Sequence, residues 1–77
     1  MTQAFVLVTC EPNAQNEVSK KIKKITGISE SKKVFGAYDC IAKTNDLPNT
    51  DIQNLVQEQI RTIDGIRSTL TLNKTEI

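Results

Sequence analysis

The 77-residue chain contains no histidine and no tryptophan, and it has only two cysteines. Without histidine, and without a nucleophile placed beside a base, the usual acid–base and covalent catalytic sites cannot be assembled. Two isolated cysteines without a C-x-x-C pair do not supply the four ligands of a tetrahedral metal site. We therefore expect a protein that is not an enzyme and that holds neither a metal ion nor a cofactor.

Long apolar runs and a strong charge of one sign are also missing. No apolar run approaches the about 18 residues that a membrane-spanning helix requires. Ten basic and nine acidic side chains give a net charge of +1, and this balance indicates no polyanionic partner. No secretory signal precedes the cysteines, so a disulfide is not expected. We therefore expect a cytoplasmic protein that contacts neither membrane nor nucleic acid.

An internal repeat is the most informative feature that the sequence does contain. The pattern V-x3-I-x2-I-x-G-I begins at Val18 and again at Val56. In each copy the first three apolar residues lie on one face of a helix. The glycine that follows, Gly27 or Gly65, can adopt the left-handed conformation that ends a helix. Each copy therefore predicts the end of a helix and the start of a strand.

The remaining apolar pattern completes an α+β domain in the order β-α-β-β-α-β. Asn13 is the expected N-cap of the first helix, and Thr50 with Gln53 fits a capping box before the second. Gly36 and Ala37 form the expected turn of a short hairpin. The predicted strands cover residues 3–10, 28–35, 38–42 and 66–73, and the predicted helices cover residues 14–26 and 51–63. This order is that of a ferredoxin-like fold, with a four-stranded antiparallel sheet in the order 4-1-3-2 and two helices on one face.

The first strand is apolar on both of its faces. Phe5 and Leu7 point to one side of the sheet, and Val6 and Val8 point to the other. Two helices cover only one face of a four-stranded sheet, so the other apolar face requires a partner. We expect a homodimer that packs sheet to sheet, with Phe5 and Leu7 in the interface.

Two features admit more than one interpretation. Four lysines on the first helix, at positions 20, 21, 23 and 24, are typical of a solvated surface. RNA binding on such a sheet would require exposed aromatic side chains on the central strands, and only Phe5 and Tyr38 lie near them. Cys10 and Cys40 fall inside predicted strands and are interpreted as small buried hydrophobic residues, although an oxidisable pair is conceivable.

The residues around the central hairpin resemble a known family. The stretch V-F-G-A-Y-D from Val34 to Asp39, the pair Gly65-Ile66 and the T-L-T triplet at 69–71 are together similar to the ligand-binding (RAM) domain of the leucine-responsive regulator/AsnC transcriptional regulators. The resemblance implies a sheet-to-sheet dimer that assembles into rings and binds free amino acids between dimers. Full-length members carry a helix-turn-helix domain ahead of this module. Since Met1 directly precedes the first strand, we expect one stand-alone domain over residues 1–77 without a DNA-binding domain.

The resemblance also implies a set of ligand-binding residues. They are Val34, Gly36, Ala37, Tyr38, Asp39, Thr69 and Thr71. In such a site Asp39 would bind the ammonium group of an amino acid, and the backbone at Gly36 would bind its carboxylate. Other roles remain open, because Gly36 and Asp39 also suit a plain turn. Thr69 and Thr71 also have the β-propensity that is typical of an edge strand. Tyr38 is also a residue type that is common in contacts between subunits.

Three functions follow as hypotheses. The first is a non-enzymatic amino-acid sensor and oligomerisation module linked to transcription regulation. The second is an assembly partner of full-length AsnC-type regulators that needs no ligand. The third is a small dimeric-barrel enzyme, for which only Tyr38, Arg61 and Arg67 are available as catalytic groups.

Overall fold

The computed structural model describes residues 3–73. Its elements are β1 (Ala4–Cys10), α1 (Gln15–Lys23), β2 (Ile28–Lys33), β3 (Cys40–Thr44), α2 (Asn49–Leu55), which continues as a π-helical segment (Val56–Ile60), and β4 (Ile66–Asn73). All neighbouring strands are antiparallel, and the order in the sheet is β2-β3-β1-β4. The predicted ferredoxin-like fold and its sheet order are therefore confirmed. Within the described residues, the helices are too short and too polar to cross a membrane.

The core lies between the helices and one face of the sheet. Val6 and Val8 on β1 are fully buried, as are Ile22 on α1 and Ile60 at the end of the π-helical segment. The one buried polar side chain among the described residues is Thr44, whose hydroxyl accepts a hydrogen bond of 2.9 Å from the backbone N–H of Ala4. A buried hydroxyl with a partner costs little stability. The core is therefore apolar, and its one buried polar side chain among the described residues has a hydrogen-bond partner.

The opposite face of the sheet carries large apolar side chains that no helix covers. The exposed fraction is 37% for Phe5, 44% for Leu70 and 47% for Leu72. Leu7 is half-buried and lies between Leu70 on β4 and Ile41 on β3 in the strand register. Residues that oppose each other in an antiparallel ladder point to the same side. Phe5 and Leu7 therefore lie on the uncovered face, as the sequence predicts. We call the apolar surface of Phe5, Leu7, Ile41, Leu70 and Leu72 the open face.

Both expected N-caps are wrong. Asn13 has φ 70° and takes a left-handed turn conformation, for which asparagine has less strain than most residues. Ala14 is the N-cap of α1 and makes no side-chain hydrogen bond. The second helix begins at Asn49, with Pro48 as its N-cap, so Thr50 already lies inside it. The extended backbone of Pro48 (ψ 149°) and its carbonyl, which accepts from Ile52 N at 3.1 Å, fix this earlier start.

Helix α1 ends three residues before the predicted end. The N–H groups of Lys24 and Ile25 donate to the carbonyls of Lys21 and Ile22, three residues back, at 3.3 and 3.0 Å. Such bonds tighten the last turn and end the α-helix. The chain then reverses at Gly27, which has φ 103°, as its repeat counterpart Gly65 has φ 96°. The predicted glycine stops are thus confirmed.

The prediction of a short hairpin turn between β2 and β3 is wrong. β2 ends at Lys33 and β3 begins at Cys40, so residues 34–39 form a six-residue loop, and Tyr38 and Asp39 lie outside the strand. Two hydrogen bonds hold this loop. The Val34 N–H donates to the Asp39 carbonyl at 3.0 Å, and the Asp39 N–H donates to the Val8 carbonyl at 2.9 Å. Asp39 therefore lies just before β3, although its N–H still bonds to β1, the strand with which β3 pairs.

Candidate functional site

The β2–β3 loop builds one wall of a concave site of about 370 Å³. We call this site the loop pocket. It is lined by Gln15, Asn16, Lys33, Val34, Phe35, Gly36 and Asp39. The loop supplies four of these residues, the end of β2 supplies one, and the first turn of α1 supplies two. The pocket therefore lies where the end of the sheet meets the start of a helix.

Asp39 is the fixed acidic group of the loop pocket. Its Oδ2 atom accepts a hydrogen bond of 2.9 Å from the backbone N–H of Cys10. Its backbone binds both Val8 and Val34. These three bonds hold the carboxylate in one orientation at the end of β1. Asp39 therefore has a structural role, but its side chain bonds to β1 and not to the backbone of its own turn, and this half-buried side chain also lines the pocket.

Gly36 leaves room beside the pocket. It has φ 125°, and no heavy atom of residues 3–73 lies within 4 Å of the position where a Cβ would stand. The neighbouring Phe35 is fully exposed, with a relative accessibility of 104%. An aromatic side chain without contacts beside a bare backbone is a feature that interaction surfaces share. The loop therefore has open space beside Gly36 and a fully exposed apolar side chain at Phe35.

The structure brings together only part of the predicted ligand set. Val34, Gly36 and Asp39 line the loop pocket, whereas Ala37 and Tyr38 do not. Thr69 and Thr71 lie on β4 and line a different concavity of about 320 Å³. We call this second concavity the α2–β4 groove. Its lining residues are Asn49, Ile52, Gln53, Val56, Gln57, Arg61, Thr69 and Thr71.

Sequence reasoning misses several residues of the loop pocket. Phe35 belongs to the V-F-G-A-Y-D stretch but is not among the predicted ligand residues. Lys33 lies on β2, an edge strand of the sheet, where a lysine commonly serves only to prevent pairing with another chain. Gln15 and Asn16 reach the pocket because the start of α1 lies over the start of β3, where the Cys40 Sγ–H donates to the Gln15 carbonyl at 3.7 Å. The motif itself contains Phe35, and Lys33 directly precedes it, but only the packing of α1 shows the two amides.

The loop pocket holds side chains of both charges. Asp39 supplies a carboxylate and Lys33 an exposed ammonium group, and within residues 3–73 no ion pair joins them to each other or to another residue. Gln15 and Asn16 add amide donors and acceptors. A ligand with an ammonium group and a carboxylate would find an opposite charge for each. The described residues contain no cluster of three or more metal-ligating side chains.

The two cysteines lie beneath the loop pocket and are not part of its reactive surface. Both are free thiols and buried. Burial, with the neighbouring Cys10 thiol as the next cause, raises the pKa of Cys40 to about 11. Burial and then the nearby Asp39 carboxylate raise the pKa of Cys10. Both thiols therefore stay protonated near neutral pH, in agreement with their interpretation as small hydrophobic residues.

The chain is similar in sequence to transcriptional regulators and, over a smaller part of their length, to enzymes. The chain is 34% identical over 74 residues to an uncharacterised HTH-type transcriptional regulator of Pyrococcus furiosus, covering 92% of this chain and 49% of the regulator. The chain thus spans about half the length of that relative. It is also 32% identical over 69 residues to a homocitrate synthase of Sulfolobus acidocaldarius, covering 88% of this chain but only 14% of the enzyme.

Solved structures of other proteins have the same fold as this chain. A protein of Thermus thermophilus superposes with a TM-score of 0.93 at 25% identity, over 100% of this chain and 96% of that one. A transcriptional regulator of Neisseria meningitidis, solved as a complex with L-Met, superposes with a TM-score of 0.84 at 13% identity, over 97% of this chain and 50% of that one. The family described as "Lrp/AsnC ligand binding domain" matches residues 3–73. The chain belongs to this family of ligand-binding domains of transcription regulators.

Proposed function

We propose that this chain is an amino-acid-sensing and assembly module of the Lrp/AsnC type, and that the loop pocket binds the free amino acid. The observation that carries the proposal is that a fixed carboxylate, Asp39, and an exposed lysine, Lys33, line the same concavity without an ion pair between them among the described residues. The pocket volume of about 370 Å³ lies within the range of roughly 300–1,000 Å³ that is common for small-molecule sites.

The binding geometry follows from the charges. The Asp39 carboxylate receives the ammonium group of the ligand, and Lys33 with the backbone around Gly36 receives its carboxylate. The open space beside Gly36 lets a ligand approach the backbone closely. The regulator of Neisseria meningitidis that shares this fold is described in complex with an amino acid, L-Met, and this supports the choice of ligand class.

Assembly is the second part of the proposal. A second copy covers the open face and forms a sheet-to-sheet homodimer through Phe5 and Leu7. Phe35 and Tyr38, at the tip of the β2–β3 loop, then contact a neighbouring dimer in a ring. Phe35 is fully exposed and Tyr38 is half-buried, and aromatic residues at a loop tip are typical of such contacts. Full-length AsnC-type regulators, which share this module, are natural partners for mixed assemblies.

A non-enzymatic role is the better account of the chain. The regulator of Pyrococcus furiosus matches over about half of its length, whereas homocitrate synthase matches over 14% of its own. A module that accompanies both a regulator and an enzyme is better suited to sensing a metabolite than to catalysis. The two free thiols have raised pKa values, so they are poor nucleophiles.

A thermal-unfolding screen against the twenty amino acids at millimolar concentration tests the sensor proposal. A ligand at about 100 times its Kd stabilises the native state by about 2.7 kcal/mol. Asp39→Asn is the informative variant, because it removes the charge and keeps an oxygen that can accept from Cys10 N–H. Asp46→Asn, at the opposite end of β3, is the matched control.

The outcomes separate the two leading functions. A selective rise in melting temperature that disappears in Asp39→Asn and persists in Asp46→Asn supports the sensor. A flat response to all twenty amino acids, together with stable assembly, favours the ligand-independent assembly partner. The exposed apolar residues of the open face and of the loop tip are the observation that favours this second candidate.

A further inference from the structure

We propose that the α2–β4 groove binds a small carboxylic acid that carries no ammonium group, such as a 2-oxo acid or a 2-hydroxy acid. The groove and the loop pocket have no lining residue in common. The proposal therefore concerns a second ligand of the module, and it does not depend on amino-acid binding at Asp39.

The groove contains polar side chains that have no hydrogen-bond or ion-pair partner among the described residues. Arg61 is exposed, and within residues 3–73 its guanidinium makes neither an ion pair nor a side-chain hydrogen bond. The other arginine, Arg67, is paired with Glu11 at 3.8 Å. The amides of the groove and the hydroxyls of Thr69 and Thr71 likewise have no side-chain partner within the described part of the chain. All of these donors remain available to a ligand.

The helix presents the polar groups as a single row. Asn49, Gln53, Gln57 and Arg61 follow one another at intervals of four residues. In a regular α-helix with 3.6 residues per turn, such a row drifts steadily around the axis. The π-helical segment widens the last turn, where the Arg61 N–H donates to the Val56 carbonyl five residues back at 2.9 Å. The wider turn counteracts the drift and keeps Arg61 in line with Gln57.

Two details support a built site rather than an accidental row. The widened turn is itself stabilised, because the Thr62 hydroxyl donates to the carbonyl of Glu58 at 3.0 Å and contacts that of Gln59 at 3.2 Å. Single π-turns inside helices occur frequently at functional sites. On the other wall, Thr69 and Thr71 are half-buried and are held in register by pairing with Val8 and Val6. Both walls of the groove are therefore fixed.

The chemistry of the lining selects the class of ligand. The planar guanidinium of Arg61 suits a carboxylate, which it can bind with two parallel hydrogen bonds. The amides and hydroxyls can donate to or accept from a keto or hydroxyl oxygen beside that carboxylate. No acidic side chain lines the groove among the described residues, so an ammonium group would lose water without gaining a counter-charge. The groove thus disfavours amino acids and favours their oxo or hydroxy counterparts.

A pair of probes that differ at one carbon tests the proposal. 2-Oxoglutarate and L-glutamate share a carbon skeleton and differ only in the keto or ammonium group at C2. We expect titration with 2-oxoglutarate to shift the backbone amide resonances of Gln53, Gln57 and Thr69 in NMR spectra. Arg61→Gln and Arg61→Lys should each weaken this binding at least tenfold, since lysine keeps the charge but lacks the planar fork. Arg67→Gln is the matched control and should bind as the unmodified protein does.

Several results would overturn the proposal. These are no shift of groove resonances with 2-oxoglutarate, equal binding by Arg61→Lys, or tighter binding of L-glutamate than of 2-oxoglutarate at the groove. Asp39→Asn separates this proposal from the amino-acid sensor. It should leave 2-oxoglutarate binding unchanged whether or not it abolishes amino-acid binding.

Discussion

The backbone N–H of Cys10 donates a hydrogen bond of 2.9 Å to the Asp39 carboxylate. This bond joins the end of β1 to the loop that lines the loop pocket. The same aspartate is therefore a structural anchor and also the acidic group that we propose binds the ligand. A substitution at this position changes fold stability and ligand binding together unless the variant is chosen to separate them.

The two roles of Asp39 can be separated by comparing two variants. Asp39→Ala removes the acceptor and leaves the part-buried Cys10 N–H without it, which should cost about 1–3 kcal/mol of unfolding free energy. Asp39→Asn keeps an oxygen acceptor and should cost less than half as much. Urea unfolding of both variants measures the difference. Equal destabilisation by the two would contradict the anchoring role that the hydrogen bond assigns to the carboxylate oxygen.

The open face predicts how the proposed dimer can be broken. In an interface related by two-fold symmetry, one substitution is present twice. Leu70→Lys places a charge on the 44% exposed leucine of the open face and would bury two ammonium groups in an apolar contact. We expect light scattering to give the molar mass of a monomer for this variant. Asn54→Lys adds the same charge to an exposed position of α2 and should leave the dimer intact. A dimer that persists in Leu70→Lys would show that another surface joins the subunits.

Periodicity is sufficient to predict the layers of the fold. The alternation along β1 separates Val6 and Val8, which are fully buried, from Phe5, which is 37% exposed. The repeat with Gly27 and Gly65 gives both helix-to-strand transitions. These features depend on side-chain spacing alone, and the sequence carries that spacing directly.

The predictions that are wrong depend on contacts between distant parts of the chain. Asp39 lies just outside β3, where its backbone N–H bonds to Val8 and its side chain to Cys10, both about thirty positions earlier. Asn13 and Thr50 have suitable cap side chains, yet the turn at Asn13 and the proline at position 48 set the helix starts. For the same reason the predicted ligand set divides between two concavities, because Thr69 and Thr71 lie against α2 and not against the loop.

The raised pKa of Cys40 predicts a loss of stability at alkaline pH. The pKa is about 11 in the folded protein, against 9.0 for the ordinary thiol. Between these values the unfolded chain has lost the proton while the native state retains it. Stability therefore falls as pH rises from 9 towards 11, by up to about 2 kcal/mol. Other groups titrate in the same range, so the measurement is the difference in unfolding free energy between the unmodified protein and Cys40→Ala at pH 8 and pH 11. A difference that does not change with pH would contradict the prediction.

Two glycines with similar backbone angles should respond differently to the same substitution. Gly27 has φ 103°, and an added Cβ would stand 2.7 Å from Leu55 Cδ1 in the core. Gly36 has φ 125°, and an added Cβ would meet no heavy atom within 4 Å in the described part of the chain. Both substitutions to alanine carry the strain of a left-handed backbone, of the order of 1–3 kcal/mol. Only Gly27→Ala also displaces a core side chain, so it should be the more destabilising of the two in urea unfolding. Gly36→Ala, whose cost is backbone strain alone, serves as its control. Equal losses would mean that Leu55 moves aside at no cost and that strain alone decides both positions.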